Sequence, residues 1–184
     1  EAFGAVARHD PSALFFLVGE DNDGGIARRH AATLGLLDRV RFVGRTSIED
    51  FADLASVTDL GINLRKPPTN GESSGALLYL LSAGIPTIVT DVGTFSDDPS
   101  EVVYKVRWES EGIEGLKRAV SELASDRVAR EALGRAAWSY VAEHHECSRV
   151  AERYVEAIER SHRDRVAAGT KAPQSTSARP AYAR

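Results

Sequence analysis

DLGINLRKPPTNGESSGALLYLLSAGIPTIVTD, residues 59–91, joins two apolar runs through a polar loop and a short apolar helix. Residues 59–64 read as a buried strand. Pro67, Pro68, Asn70 and Gly71 punctuate a loop over residues 66–72, and residues 73–83 read as a helix stopped by Gly84 and Pro86. The next strand is TIVT, residues 87–90. The stretch is therefore a βαβ unit. Its helix is expected to open on Glu-Ser-Ser-Gly, whose free backbone N–H groups make the loop-to-helix junction a candidate anion site.

The same rhythm runs upstream. EAFGAVARH begins helical, with Phe3 and Val6 on one face, and Pro11 follows closely. LFFLV, residues 14–18, is wholly apolar, as expected of a strand covered on both faces, and Gly19 with Glu20 ends it. DNDGG leads into a helix over residues 26–34. Residues 40–43 form a second strand, and Ser47, with Asp50 three positions on, is a plausible N-cap for a helix to Ser56. Downstream, residues 102–106 are a strand. Residues 113–124, 127–144 and 148–166 are helices with apolar residues three or four apart, Ser125 or Asp126 capping the second. From Ala168 the composition turns to Gly, Thr, Pro, Gln, Ser and Arg, as in a disordered tail, leaving residues 1–166 as one folded domain.

Strands alternating with helices imply an α/β, Rossmann-like, doubly wound parallel sheet. Ligands bind such sheets at the carboxyl ends of the strands. Residues 19–25, 44–47, 66–74 and 91–97 would form that rim.

Composition narrows the class. The chain has 184 residues, 42% hydrophobic and 27% charged, enough to bury a core. A net charge of −4 offers no general attraction for nucleic acid. No apolar run reaches the roughly 20 residues of a membrane span. The single cysteine, Cys147, allows no internal disulfide and fits a reducing, cytoplasmic compartment. The five histidines lie without partners at metal-ligand spacing, and DNDGG lacks the Glu that closes a calcium loop, residue 32 being Ala32. No metal is expected.

The ordered set FLVGE, VRFVG, DLGINLR and GESSGALLYLLSAGIPTIVTDVG resembles the nucleotide-sugar-binding C-terminal half of GT-B glycosyltransferases, especially the large retaining group 1, family 4 type. The resemblance covers residues 1–159 and is most specific over residues 71–93. It implies a two-domain enzyme gripping a nucleoside-diphosphate sugar in this half and an acceptor in the other. Gly19 and Val43-Gly44-Arg45 would then lie along the nucleoside. Glu72, the implied catalytic residue, with Gly71, Ser73, Ser74 and Gly75, would meet the sugar and diphosphate. Positive helix ends suit a pyrophosphate leaving group, and no metal is needed in that scheme.

Two departures stand out. Many members carry Glu-x7-Glu here, the second Glu binding ribose. At that position stands Tyr79, whose phenol cannot match two carboxylate acceptors. The first Glu aligns with Gly71 or, with a one-residue slip, with Glu72, which is preferred. The family's half also starts with a strand and a basic Arg-Lys loop not found here. The chain is thus expected to be a fragment lacking its first strand and the acceptor domain, and inactive alone.

Blander readings compete. Glu72 suits a helix-start loop through the dipole alone. Arg65 and Lys66 form a basic pair that either touches phosphate or is solvated, and Tyr79 among four leucines suits packing. Asp91 is a turn former or a sugar contact, while Trp108 and Trp138 read as packing residues. A non-catalytic binding module with the same fold is the competing function. A sugar-nucleotide epimerase is a distant third, because no G-x-G-x-x-G follows a strand. Arg160, Arg163, Arg165, Lys171, Arg179 and Arg184 give a basic tail, which reads first as solvated and disordered and otherwise as suited to peripheral contact with anionic lipid.

Overall fold

The computed structural model describes residues 1–22 and 24–167. They divide into two compact units, one ending at Glu143 and one beginning at His144. The residues from 168 onward, with Lys171, Arg179 and Arg184 of the basic tail, and Asp23 of the acidic loop lie outside the described residues.

The first unit contains helix α1 (Ala2–His9), strand β1 (Phe15–Val18), α2 (Ile26–Thr33), β2 (Val40–Gly44), α3 (Ile48–Ser56), β3 (Gly61–Asn63), α4 (Gly75–Ser82), β4 (Thr87–Thr90), β5 (Tyr104–Val106), α5 (Trp108–Ser125) and all but the last residue of α6 (Arg127–His144). Every strand pairing is parallel. β1 pairs with β2, and β3, β4 and β5 lie side by side in that order. The α/β class and its parallel strands agree with the expectation. The strands form two sheets, so β1 and β3 each carry one edge without a strand partner among the described residues.

α1 spans both sheets. Its Phe3 stacks on Phe15 of β1 with ring centroids 5.4 Å apart. Ala2 joins Ile88, Val106 and the α5 residues Leu116, Ala119, Val120 and Leu123 in one core cluster, against which Val6 and Ile62 pack. The opposite face of β4 feeds a second cluster, in which Val89 meets Leu77 and Leu81 of α4, Phe95, and Ala137 of α6. Because successive strand residues point to opposite faces, Ile88 and Val89 anchor different layers. All four residues of β4 are buried, as a central parallel strand requires.

Five expectations need correction. The helix read as 73–83 begins at Gly75, because the Ser74 side chain accepts the Leu77 N–H and so sits outside the helix as its N-cap. Among the described residues β1 is covered on one face only. Phe15 faces α1, whereas Phe16 and Val18 alternate outward and are 37% and 38% exposed. The run at 102–106 is a strand only from Tyr104; Val102 and Val103 are buried in a turn, their N–H groups bonded to the Pro99 carbonyl. A helical turn from Trp108 precedes the helix expected at Ile113, the two separated by Gly112 at φ 53°. Trp108 packs against the first core cluster, but Trp138 is 58% exposed because the packed face of α6 is Gly134 and Ala137. Two caps fall as read: Ser47 accepts from the Asp50 N–H, and Asp126 from the Ala129 N–H.

In the second unit, α7 (Cys147–Ala167) is amphipathic. It carries Tyr154, Ile158 and Val166 exposed, each more than 60%.

Candidate functional site

The carboxyl ends of β3 and β4 meet the amino end of α4, and the residues joining them are polar. Asn63, the last residue of β3, donates its side-chain amide to Ser74 Oγ at 2.9 Å. The same hydroxyl accepts the Leu77 N–H at 3.2 Å, so β3 holds the helix cap in place. Thr90, the last residue of β4 and 1% exposed, accepts the Arg65 N–H at 2.8 Å and donates to the Arg65 carbonyl at 2.9 Å.

Arg65 is the hub of the loop. Its guanidinium lies over the Phe95 ring, 4.7 Å from the centroid. Nη1 donates to Glu72 Oε1 at 2.6 Å and to the Glu72 carbonyl at 2.8 Å, while Nη2 reaches the Ser73 carbonyl at 3.4 Å. The other carboxylate oxygen of Glu72 accepts the Asn70 N–H at 2.8 Å. Thr94 Oγ1 donates to the Glu72 carbonyl at 3.0 Å, tying residues 91–97 to residues 66–74. A Cβ on Gly93, which has φ 55°, would collide with the Thr69 side chain, so the two loops touch there too.

Among the described residues the N–H groups of Ser73, Ser74, Gly75 and Ala76 meet no protein acceptor. Four successive donors at a helix start, beside a guanidinium, form a setting for an anion. Such a group can also stabilise charge that develops on a leaving group.

Glu72 stays ionised in this setting. Its own N–H and that of Asn70 donate to the carboxylate, and Arg65 sits beside it, so its pKa falls below the usual glutamate range. The sign follows from linkage. A depressed folded value means stabilisation present above the ordinary glutamate pKa and lost as pH falls through the lower, folded value. A carboxyl-carbon NMR titration is expected to place the Glu72 midpoint below those of the chain's solvated glutamates. A midpoint level with theirs would contradict the Arg65–Asn70 geometry.

The Gly19 N–H donates to the Gly44 carbonyl at 2.8 Å, closing the ends of β1 and β2, and Val43 precedes that turn. Arg45 pairs with Glu20 at 3.2 Å, both exposed. Gly71 lies in the loop, exposed, at φ 74°. Tyr79 is half-buried on α4, edge-on to Phe51 of α3 with centroids 5.5 Å apart. Asp91 pairs loosely with Arg107 at 3.7 Å. Sequence reasoning missed Asn63, Thr90, Thr94 and Phe95. The available signal was a polar residue closing each of the two strands, GIN and TIVT.

A concavity of about 720 Å³ away from these residues is lined by Glu1, Arg8, Leu36, Arg39, Glu114 and Lys117, among others. Two of its cations are already engaged. Arg39 donates to the Ala7 and Asp10 carbonyls, and Lys117 pairs with Glu114 and Glu1. Among the described residues no group of three or more His, Cys, Asp or Glu is placed to hold a metal, and no helix is long and apolar enough to cross a membrane.

The fold recurs in solved glycosyltransferase structures. WaaG, a glycosyltransferase involved in lipopolysaccharide biosynthesis, is 24% identical with a TM-score of 0.59, over 78% of this chain and 38% of its own. HepE of Anabaena, solved in complex with UDP-glucose, is 17% identical with a TM-score of 0.70, over 84% of this chain and 43% of its own. The C-terminal domain of LpcC, a glycosyl transferase group 1 family protein from Francisella tularensis, gives 13% and 0.64, over 79% of this chain and 76% of that domain. The chain therefore spans about two fifths of the length of WaaG and HepE, but most of an isolated C-terminal domain. No curated protein sequence matches it significantly. The family model described as glycosyl transferase-like matches residues 3–156, and this chain belongs to that family.

Proposed function

We propose that this chain is the donor-binding half of a GT-B glycosyltransferase of the retaining group 1, family 4 type. It would hold a nucleoside-diphosphate sugar for transfer to an acceptor bound by a second half. The observation that carries the reading is the row of N–H donors at residues 73–76, set beside Arg65 at the carboxyl ends of two parallel strands. Ser73, Ser74 and Gly75 receive the diphosphate, with Gly71 allowing the turn. Glu72 stands at the sugar, its carboxylate held in one direction by Arg65 and Asn70. Gly19, Val43, Gly44 and Arg45 flank the nucleoside, and Tyr79, engaged with Phe51, takes the ribose position at the edge of that path. Bond cleavage leaves charge on the diphosphate. The preset N–H groups oppose it without reorganising, so the scheme requires no metal.

The free edges of β1 and β3 are where we place the further parallel strand that the resemblance implies. A non-catalytic nucleotide-binding module is the second reading. It is favoured by one feature, that both Glu72 oxygens already have protein partners.

Titrating the chain with UDP, GDP and ADP at low ionic strength, followed by backbone amide shifts, tests the donor site. Saturable shifts largest at residues 73–76 are expected. A folded chain that responds to none of the three nucleotides would end the reading.

A further inference from the structure

We infer that Arg65 is the positioning residue of this site, aiming the Ser73 and Ser74 N–H groups by holding the carbonyls on the far side of their peptide planes. The inference rests on the donor-binding reading above and adds to it the device that presents the donors.

In a trans peptide the carbonyl of one residue and the N–H of the next point in opposite directions across a rigid plane. Arg65 takes the carbonyls of Glu72 and Ser73 at 2.8 and 3.4 Å. The N–H groups of Ser73 and Ser74 therefore point away from Arg65, and both lack a protein acceptor among the described residues. Thr94 supplies a second donor to the Glu72 carbonyl from the opposite loop, so that plane is held twice.

Arg65 is itself fixed at three levels. Its backbone is bonded in both directions to buried Thr90, its guanidinium lies over Phe95, and the Glu72 carboxylate closes the fork. Its side chain is only 19% exposed. A solvated arginine reaching for phosphate would not have its donors turned inward onto two main-chain carbonyls. Only a planar, multi-donor head serves this geometry, because the carbonyls and the carboxylate must be held together.

The test uses the 184-residue chain with Arg65→Gln and Arg65→Lys, and UDP as the probe. Amide residual dipolar couplings without nucleotide report the direction of the Ser73 and Ser74 N–H bonds, and calorimetry reports the UDP dissociation constant. Arg65→Gln is expected to average those two couplings toward zero and to weaken UDP about tenfold or more, with amide shifts outside residues 63–76 and 90–97 unchanged. Arg65→Lys keeps the charge without the fork and is expected to recover little of either readout. Couplings and affinity in Arg65→Gln equal to those of the unsubstituted chain would overturn the positioning role while leaving the donor-binding reading intact. Full recovery in Arg65→Lys would overturn it as well, because charge alone would then suffice. Should Arg65→Gln fail to fold, the lysine variant decides on the same two readouts. If the unsubstituted, folded chain does not bind UDP, the donor-binding reading falls and this inference falls with it.

Discussion

Gly134→Ala is expected to lower the stability of the first unit by about 3 kcal/mol, read as a fall in the urea midpoint with an unchanged slope. Gly134 lies on α6, where a Cβ would be driven into the carbonyl oxygen of Gly84, a backbone atom in the turn between α4 and β4. The next nearest atoms are the Gly84 carbonyl carbon at 3.3 Å and Pro86 Cδ at 3.5 Å, so no flexible side chain can yield. Gly84 itself has φ 70°, a left-handed conformation that fixes where its carbonyl points. The helix must retreat or the turn must deform. Either movement opens the second core cluster at Ala137, which is fully buried one turn along the same face. On an exposed helix position the same change would stabilise slightly, through helix propensity. A stable Gly134→Ala protein would mean that α6 does not pack on this turn.

Thr90→Val is expected to cost about 2 to 3 kcal/mol although it preserves shape and β-branching. The hydroxyl alone is lost, and with it both the acceptor for the Arg65 N–H and the donor to the Arg65 carbonyl. Leaving two partly buried main-chain groups unpaired costs more than the net gain of forming the bonds. The damage is local as well as global. Arg65 is released from β4, and the loop carrying Glu72 loses its anchor. Faster hydrogen exchange at the Arg65 amide, together with the lowered urea midpoint, checks both parts. An unchanged midpoint would contradict the reciprocal pair.

Particular residues explain what the sequence made legible. TIVT was readable as a strand because all four residues are β-branched, and all four are buried. The βαβ unit followed from Pro, Gly and apolar spacing, which are local signals. The start of α4 was not, because choosing Ser74 over Ser73 as the cap depends on Asn63, eleven residues away, donating to Ser74 Oγ. Likewise LFFLV carried the composition of a strand covered on both faces, yet coverage belongs to whatever packs on it, and Phe16 and Val18 are open. Trp138 was read as a packing residue from its side chain. The packing on α6 is instead made by its glycine and alanine, where backbones approach closely. Arg65 and Lys66 looked alike in sequence. Only the placement of Phe95, thirty positions on, and of the Glu72 and Ser73 carbonyls separates them.

The strand-end loops were legible as loops rather than as a geometry. Gly44 and Gly19 meet as expected from strands that end together. The clasp of Arg65, Glu72, Asn70 and Thr94 needs two loops in one place, which periodicity cannot supply.

The most direct measurement is a crystal structure of this chain with UDP bound. The account predicts the diphosphate on the N–H groups of residues 73–76, with the base beside the Gly19–Gly44 turn. A diphosphate bound instead among Arg8, Arg39 and Lys117, or anywhere away from the amino end of α4, would contradict it.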